Sequence, residues 1–386
     1  MTMTQRTPTT AAAVLDEVRA LAPAIAARAA EIEAARRLPG DLMEELGRAG
    51  CWRMVLPPSH GGIGASVPEA MRAIEVLAGA DASTGWTVMI GAGSWCDLAA
   101  LPRATFDALY GGDRDVITAG AFNPTGSIEP VDGGYHVQGR WAFASGCEHA
   151  DVFYGNCVES VVDGHPQLRA AVFVPSEVTI EDTWYVSGLR GTGSHHFHAD
   201  VVIPADRTFI PLVGEPCIDD PIVHFPIPSL FGFVVASVAI GIAQGALDDI
   251  VALATAKVPL LAPAPLAANP RFQYELAHAD TELRAARTYL YEMAERAWDA
   301  ASNHAEFTLE QLSRLRAASV WATTRAAAVV DFAYSAGGGT SLYDDSPLQR
   351  RQRDVHAVTQ HFIVRPDTLT TAGAILAGQD VDVMVF

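Results

Sequence analysis

The stretch Arg353–Phe362, RDVHAVTQHF, places two histidines behind an Arg-Asp pair. A neutral imidazole can take up or give a proton near neutral pH, or hydrogen-bond an oxygen. His356 and His361 are five positions apart, so they point to different helical faces and at most one of them serves a given site. A second group lies in GRWAFASG, where strand alternation predicts that Trp141, Phe143 and Ser145 share one face. That face is either an aromatic wall with a hydroxyl at its edge or the core of a sheet. Thr192-Gly193-Ser194 is a turn of small residues whose N–H groups can come close to a ligand, and a plain turn has the same composition. The five cysteines form no CxxC or Cys/His ligand pattern, so no metal site is expected. No strand–GxGxxG–helix unit is present, which argues against a nicotinamide dinucleotide site.

The charge balance narrows the partners. Lys and Arg number 26 and Asp and Glu 45, a net charge of −19. This argues against nucleic acid and anionic membranes, and an anionic ligand would need a local positive site. Scattered, odd-numbered cysteines predict reduced thiols and a cytoplasmic protein, and the polar start MTMTQRTPTT carries no apolar signal core. Ile222–Leu247 lacks Asp, Glu, Lys and Arg and is long enough to span a bilayer. Its prolines, His224 and Gln244, with no flanking Lys/Arg asymmetry, favour a helix buried in a helical assembly.

Three zones must position these residues: helical 1–115, strand-rich 116–215 and helical 216–386. The first holds Ala-rich periodic helices, with Pro23 as a kink or restart. The second has short strands bounded by turns, as in a small barrel or sandwich. In the third, Phe272, Leu276, Ala279, Leu283, Ala286, Leu290, Met293 and Ala297 form an a/d seam, repeated from Leu315 to Ala333. Phe225, Phe231 and Phe233 read as bundle core. The fold class is mostly α with a central β domain and a C-terminal four-helix bundle.

Four motifs stand in this order: LPPSHGGIGAS (56–66), GRWAFASGCEHAD (139–151), GLRGTGSHHFHADVVIP (188–204) and AGGGTSLYDDSPLQRRQRD (336–354). Across nearly the whole chain the sequence resembles the acyl-CoA dehydrogenase superfamily, and within it the flavin-dependent monooxygenases. The resemblance implies reduced FAD or FMN as cofactor, O2 as co-substrate, a separate NAD(P)H-dependent flavin reductase and a homotetramer. It implies cofactor-binding roles for Phe122, Trp141, Ser145, Thr192, Gly193 and Ser194. Arg271, Gly337 and Gly338 would complete the site from a neighbouring subunit.

Dehydrogenases of the superfamily use a glutamate base, in many of them shortly after the Arg-Asp pair. Here no Asp or Glu occurs from Val355 to Arg365. The resemblance implies instead an oxygenase that forms a C4a-hydroperoxyflavin and hydroxylates a phenolic or indolic small molecule. His361 and Ser145 are its catalytic residues: His361 takes the substrate proton or hydrogen-bonds the peroxide, and Ser145 bonds near flavin N5. The additional histidine of several relatives is missing, since Ser94, Trp95, Phe122 and Asn123 stand in those regions. His195 and His196 point to opposite faces, and one of them could meet a ligand. The alternatives are an acyl-CoA dehydrogenase with its base on another helix, such as Glu275, Glu282 or Asp331, an amino-sugar N-oxygenase, and a non-catalytic scaffold.

Overall fold

The computed structural model describes residues 8–112 and 114–381. The chain opens with helices α1 (Ala11–Ala27), α2 (Ala29–Ala35), α3 (Gly40–Arg48), α4 (Val67–Ala80), α5 (Ala82–Gly93), α6 (Trp95–Leu98) and α7 (Arg103–Tyr110). α1 runs through Pro23, and the chain restarts as α2 after Arg28. Caps set α4 and α5, of which α5 carries Trp86. Ser66 and Glu69 close a reciprocal capping box on α4, and Asp81 caps α5 by accepting from the Thr84 N–H at 2.8 Å.

The strands are β1 (Thr118–Val131), β2 (Gly134–Ala144), β3 (Val152–Val162), β4 (His165–Phe173), β5 (Thr179–Glu181), β6 (His195–Ile203) and β7 (Thr208–Phe209). They form one seven-stranded sheet in the order β5-β6-β2-β1-β3-β4-β7, antiparallel except for the β1–β3 pair. The sheet is mixed and keeps two edges, so it is not a closed barrel. It does fold over on itself. Strands β2 and β4 are three places apart, about 14 Å in a flat sheet, yet the Trp141 and Phe173 rings lie 5.5 Å apart.

Trp141 is the centre of that fold. It is 0% exposed, stacks on Phe197 at 5.0 Å, and donates its indole N–H to the Asn156 carbonyl at 2.8 Å. A Cβ added at Gly126, Gly139 or Gly155 would come within 2.4, 2.6 or 2.5 Å of the indole, so three strands thin out to admit it. The expected common face of Trp141, Phe143 and Ser145 is therefore incorrect. The β2–β6 register slips between Trp141 and Ala144, and Phe143 takes φ +68°. The extra residue turns Trp141 inward and leaves Phe143 67% exposed.

Helices α8 (Ile227–Ala256), α9 (Pro270–Ser302), α10 (Leu309–Gly337), α11 (Pro347–Thr359) and α12 (Asp367–Leu376) complete the chain. α8 is apolar on all sides up to Ala243 and packs between α4 and α10, and 83% of its most apolar window is buried. Phe225 and Phe233 are buried with it, whereas Phe231 is only partly so. The α9 seam is buried at Phe272, Ala279, Leu283, Ala286, Leu290 and Ala297, with Leu276 and Met293 at its margin. The first and last helical segments share one hydrophobic core, and the sheet keeps its own.

Candidate active site

A continuous polar chain links the sheet to the helices. The Asp354 carboxylate on α11 accepts the Leu189 N–H at 2.7 Å, while Arg353 bonds the Ser187 carbonyl and pairs with Glu33 of α2. The Arg-Asp pair thus clamps the loop that leads into Thr192-Gly193-Ser194. The Thr192 hydroxyl donates to the Leu189 carbonyl at 2.8 Å and lies 2.7 Å from the Ser194 hydroxyl, which is 2.7 Å from that of Ser145. The Trp86 indole N–H donates to Ser145 Oγ at 3.0 Å. Gly193, at φ +52°, makes the turn that brings Thr192 and Ser194 together.

Proton counting orients this chain. Thr192 gives its only proton to Leu189, so it accepts from Ser194, and Ser194 in turn accepts from Ser145. Ser145 receives the Trp86 proton and gives its own to Ser194. What remains for a ligand at Ser145 is a lone pair.

The end of α11 returns to the same place. Trp86 meets the His361 ring edge to face at 5.5 Å, His361 lies 4.9 Å from the Phe362 ring, and Phe362 stacks on Phe122 at 5.7 Å. His361 is not on a helix, as the sequence suggested. α11 stops at Thr359, and His361 caps the following turn, its Nδ1 accepting the Ile363 N–H at 3.3 Å. Nε2 then carries the proton of the neutral ring and points its capacity outward as a donor. Burial and the Arg316 charge hold the imidazole pKa down at about 4. His361 is a neutral hydrogen-bond donor here, and a poor proton acceptor.

Of the residues expected to bind cofactor, Phe122, Ser145, Thr192, Gly193 and Ser194 gather here with His361. Trp141 does not; it belongs to the sheet core and has no surface to offer a ligand. The exposed ring on that strand is Phe143, held edge-on to Trp184 and His196, each at 6.2 Å. Arg271, Gly337 and Gly338 lie elsewhere in this chain, at the end of the α9–α10 pair marked by the Phe272–Phe332 stack. There Arg271 is 85% exposed and pairs with Glu275, while Lys257 bonds the Gly337 carbonyl. His195 is structural, its Nδ1 accepting the Thr183 and Trp184 N–H groups, and His356 pairs with Asp331 on the surface. Sequence reasoning missed Trp86, Phe362 and Arg316. Exposed Asp219, His224 and His304 do bring ligand atoms within 4.8 Å of one another, apart from this site.

Comparison with known proteins agrees with this geometry. Residues 8–101 match the acyl-CoA dehydrogenase N-terminal domain model and residues 233–366 the C-terminal domain model. The chain is 34% identical to the indole-3-acetate monooxygenase of Pseudomonas putida, over 95% of this chain and 93% of that one. The chain belongs to the acyl-CoA dehydrogenase superfamily, in its flavin-dependent monooxygenase branch. It is also 31% identical to the flavin-dependent monooxygenase oxygenase subunit HsaA of Rhodococcus jostii, covering 92% of this chain and 95% of that one. The Streptomyces XiaF structure, in complex with FADH2 and glycerol, superposes with a TM-score of 0.89 at 25% identity, covering 96% of each chain. The chain is a flavin-dependent monooxygenase. Its site fits the flavin: an exposed aromatic ring, a tight small-residue turn, a serine lone pair and an imidazole N–H are what a reduced isoalloxazine edge requires.

Proposed function

We propose that this monooxygenase hydroxylates an aromatic small molecule, phenolic or indolic, with reduced flavin delivered by a separate reductase to a cytoplasmic homotetramer. The observation that carries the reading is the oriented chain from Thr192 through Ser194 and Ser145 to Trp86, whose ring lies beside the neutral His361. The bound flavin supplies the activation of O2. This chain's residues do the rest. The Ser145 lone pair would accept the N5–H that a reduced flavin has and an oxidised one lacks. His361 Nε2–H donates to an oxygen of the reacting groups, stabilising negative charge as it develops. Trp86, Phe122 and Phe362 exclude water, which keeps reducing equivalents from being lost as hydrogen peroxide. In the proposed tetramer Arg271 and Gly337-Gly338 would help hold a neighbouring subunit's flavin, as they are not among the residues gathered at the site of their own chain.

The carboxylate of the polar chain, Asp354, is committed to the Leu189 N–H, and none is among the described contacts of Ser145, Trp86 and His361, so the geometry favours oxygenation over acyl-CoA dehydrogenation. Ser145→Ala tests the reading. It removes the lone pair and strands the Trp86 N–H, so product per O2 consumed should fall about tenfold or more, with peroxide rising to match. Unchanged coupling in this variant would refute the role given to the chain.

A further inference from the structure

Arg316 is an anomaly that the flavin chemistry leaves unused. It lies on α10, 4% exposed, in a seam of Leu315, Ser319 and Ala322. A guanidinium has five N–H donors. One reaches the Pro228 carbonyl at 3.1 Å, and Nε finds no partner. Arg316 forms no ion pair among the described residues. Burying an unpaired cation costs several kcal/mol, and burial pushes this guanidinium pKa down to about 10. Room has been made for it nonetheless: a Cβ at Gly232 of α8 would lie 3.0 Å from its Nη1. The neighbouring Ser229 hydroxyl is also buried without a partner.

Its position joins this cation to the site. α8 and α10 both pack against the turn that begins at His361, and the Arg316 charge is one of the causes that keep His361 neutral. In a molecule of net charge −19, a buried cation with spare donors, near enough for its charge to act on His361, is the local positive site an anionic ligand needs.

We propose that Arg316 binds a carboxylate carried on the aromatic substrate, so that the enzyme acts on an aryl acid rather than a neutral arene. This rests on the hydroxylase reading and names the substrate class for the same site. The carboxylate accepts from Nε and a terminal N–H of Arg316, which fixes where the ring carbon to be oxidised sits relative to His361. A neutral analogue leaves the guanidinium unpaired and loses that contact, the kind of mismatch that discriminates strongly.

The test compares 4-hydroxyphenylacetate and indole-3-acetate with their primary amides, in the holoenzyme with reduced flavin and by equilibrium dialysis without it. Wild type should favour acid over amide by about 100-fold or more in kcat/KM and in binding. Arg316→Met should bring that ratio to within about threefold, and Arg316→Lys should restore part of it. Tm should not fall in Arg316→Met, because an apolar side chain replaces an unpaired buried charge. Equal use of acid and amide by wild type would overturn the proposal. So would a ratio unchanged in Arg316→Met, or an effect confined to FMN against riboflavin, which would make Arg316 a phosphate site. If no aromatic is hydroxylated but dialysis still separates acid from amide, the hydroxylase reading fails and the carboxylate site stands.

Discussion

At the scale of single residues, the account turns on which atoms already have partners. His361 has spent Nδ1 on the Ile363 N–H, and its pKa of about 4 keeps it uncharged through the physiological range. A group with a lowered pKa gains its proton only as pH falls through that value. Protonation would leave Nε2–H in place but charge the ring and take Nδ1 from the Ile363 N–H, so any acid limb of hydroxylation due to His361 should lie near pH 4 rather than near 6.5. His361→Ala should lower the hydroxylation rate about 100-fold at all higher pH values. A wild-type acid limb at 6.5, absent from His361→Ala, would contradict the buried, neutral imidazole. Ser145, Thr192, Ser194 and His361 were legible because their types and motif positions stand out. Trp86 and Arg316 follow no spacing rule. The only signals were a lone indole among the small residues of ASTGWTVMIGAG and a lone cation inside an apolar seam.

At the scale of elements, the β2 bulge decides what the sheet presents. Alternation read straight through GRWAFASG puts three side chains on one face, but one extra residue before Ala144 reverses the sense after Trp141. Nothing in the sequence marks such a residue. The glycines of β1, β2 and β3 could have hinted that a large ring needed space, but only the folded sheet shows them converging on Trp141. Trp141→Ala should cost about 3–5 kcal/mol of stability, as a large side chain removed from a packed core does. Flavin affinity, measured by anaerobic titration of folded protein, should change by no more than about twofold. A selective loss of flavin binding without destabilisation would return Trp141 to the cofactor site.

At the scale of the whole molecule, the order helices, sheet, helices was legible because hydrophobic period changes from one zone to the next. That the outer zones share one core was not, since α4 meets α8 across more than a hundred residues of intervening chain. The α9–α10 end, with exposed Arg271 and the Gly337-Gly338 turn, carries none of the residues gathered at the site of its own chain. Arg271→Ala should weaken reduced-flavin binding about tenfold in the assembled protein while leaving Tm unchanged, because its pair with Glu275 is a surface i,i+4 contact of little worth. A sedimentation result showing active monomers would contradict the shared site.

The most direct measurement of the central claim is isotope incorporation. Anaerobic protein, loaded with chemically reduced FAD or FMN and 4-hydroxyphenylacetate or indole-3-acetate, would be mixed with 18O2 in the absence of any reductase. The account predicts product carrying one 18O atom from O2, formed in a single turnover. Unlabelled or absent product with both flavins and both acids, and all consumed oxygen recovered as hydrogen peroxide, would contradict it.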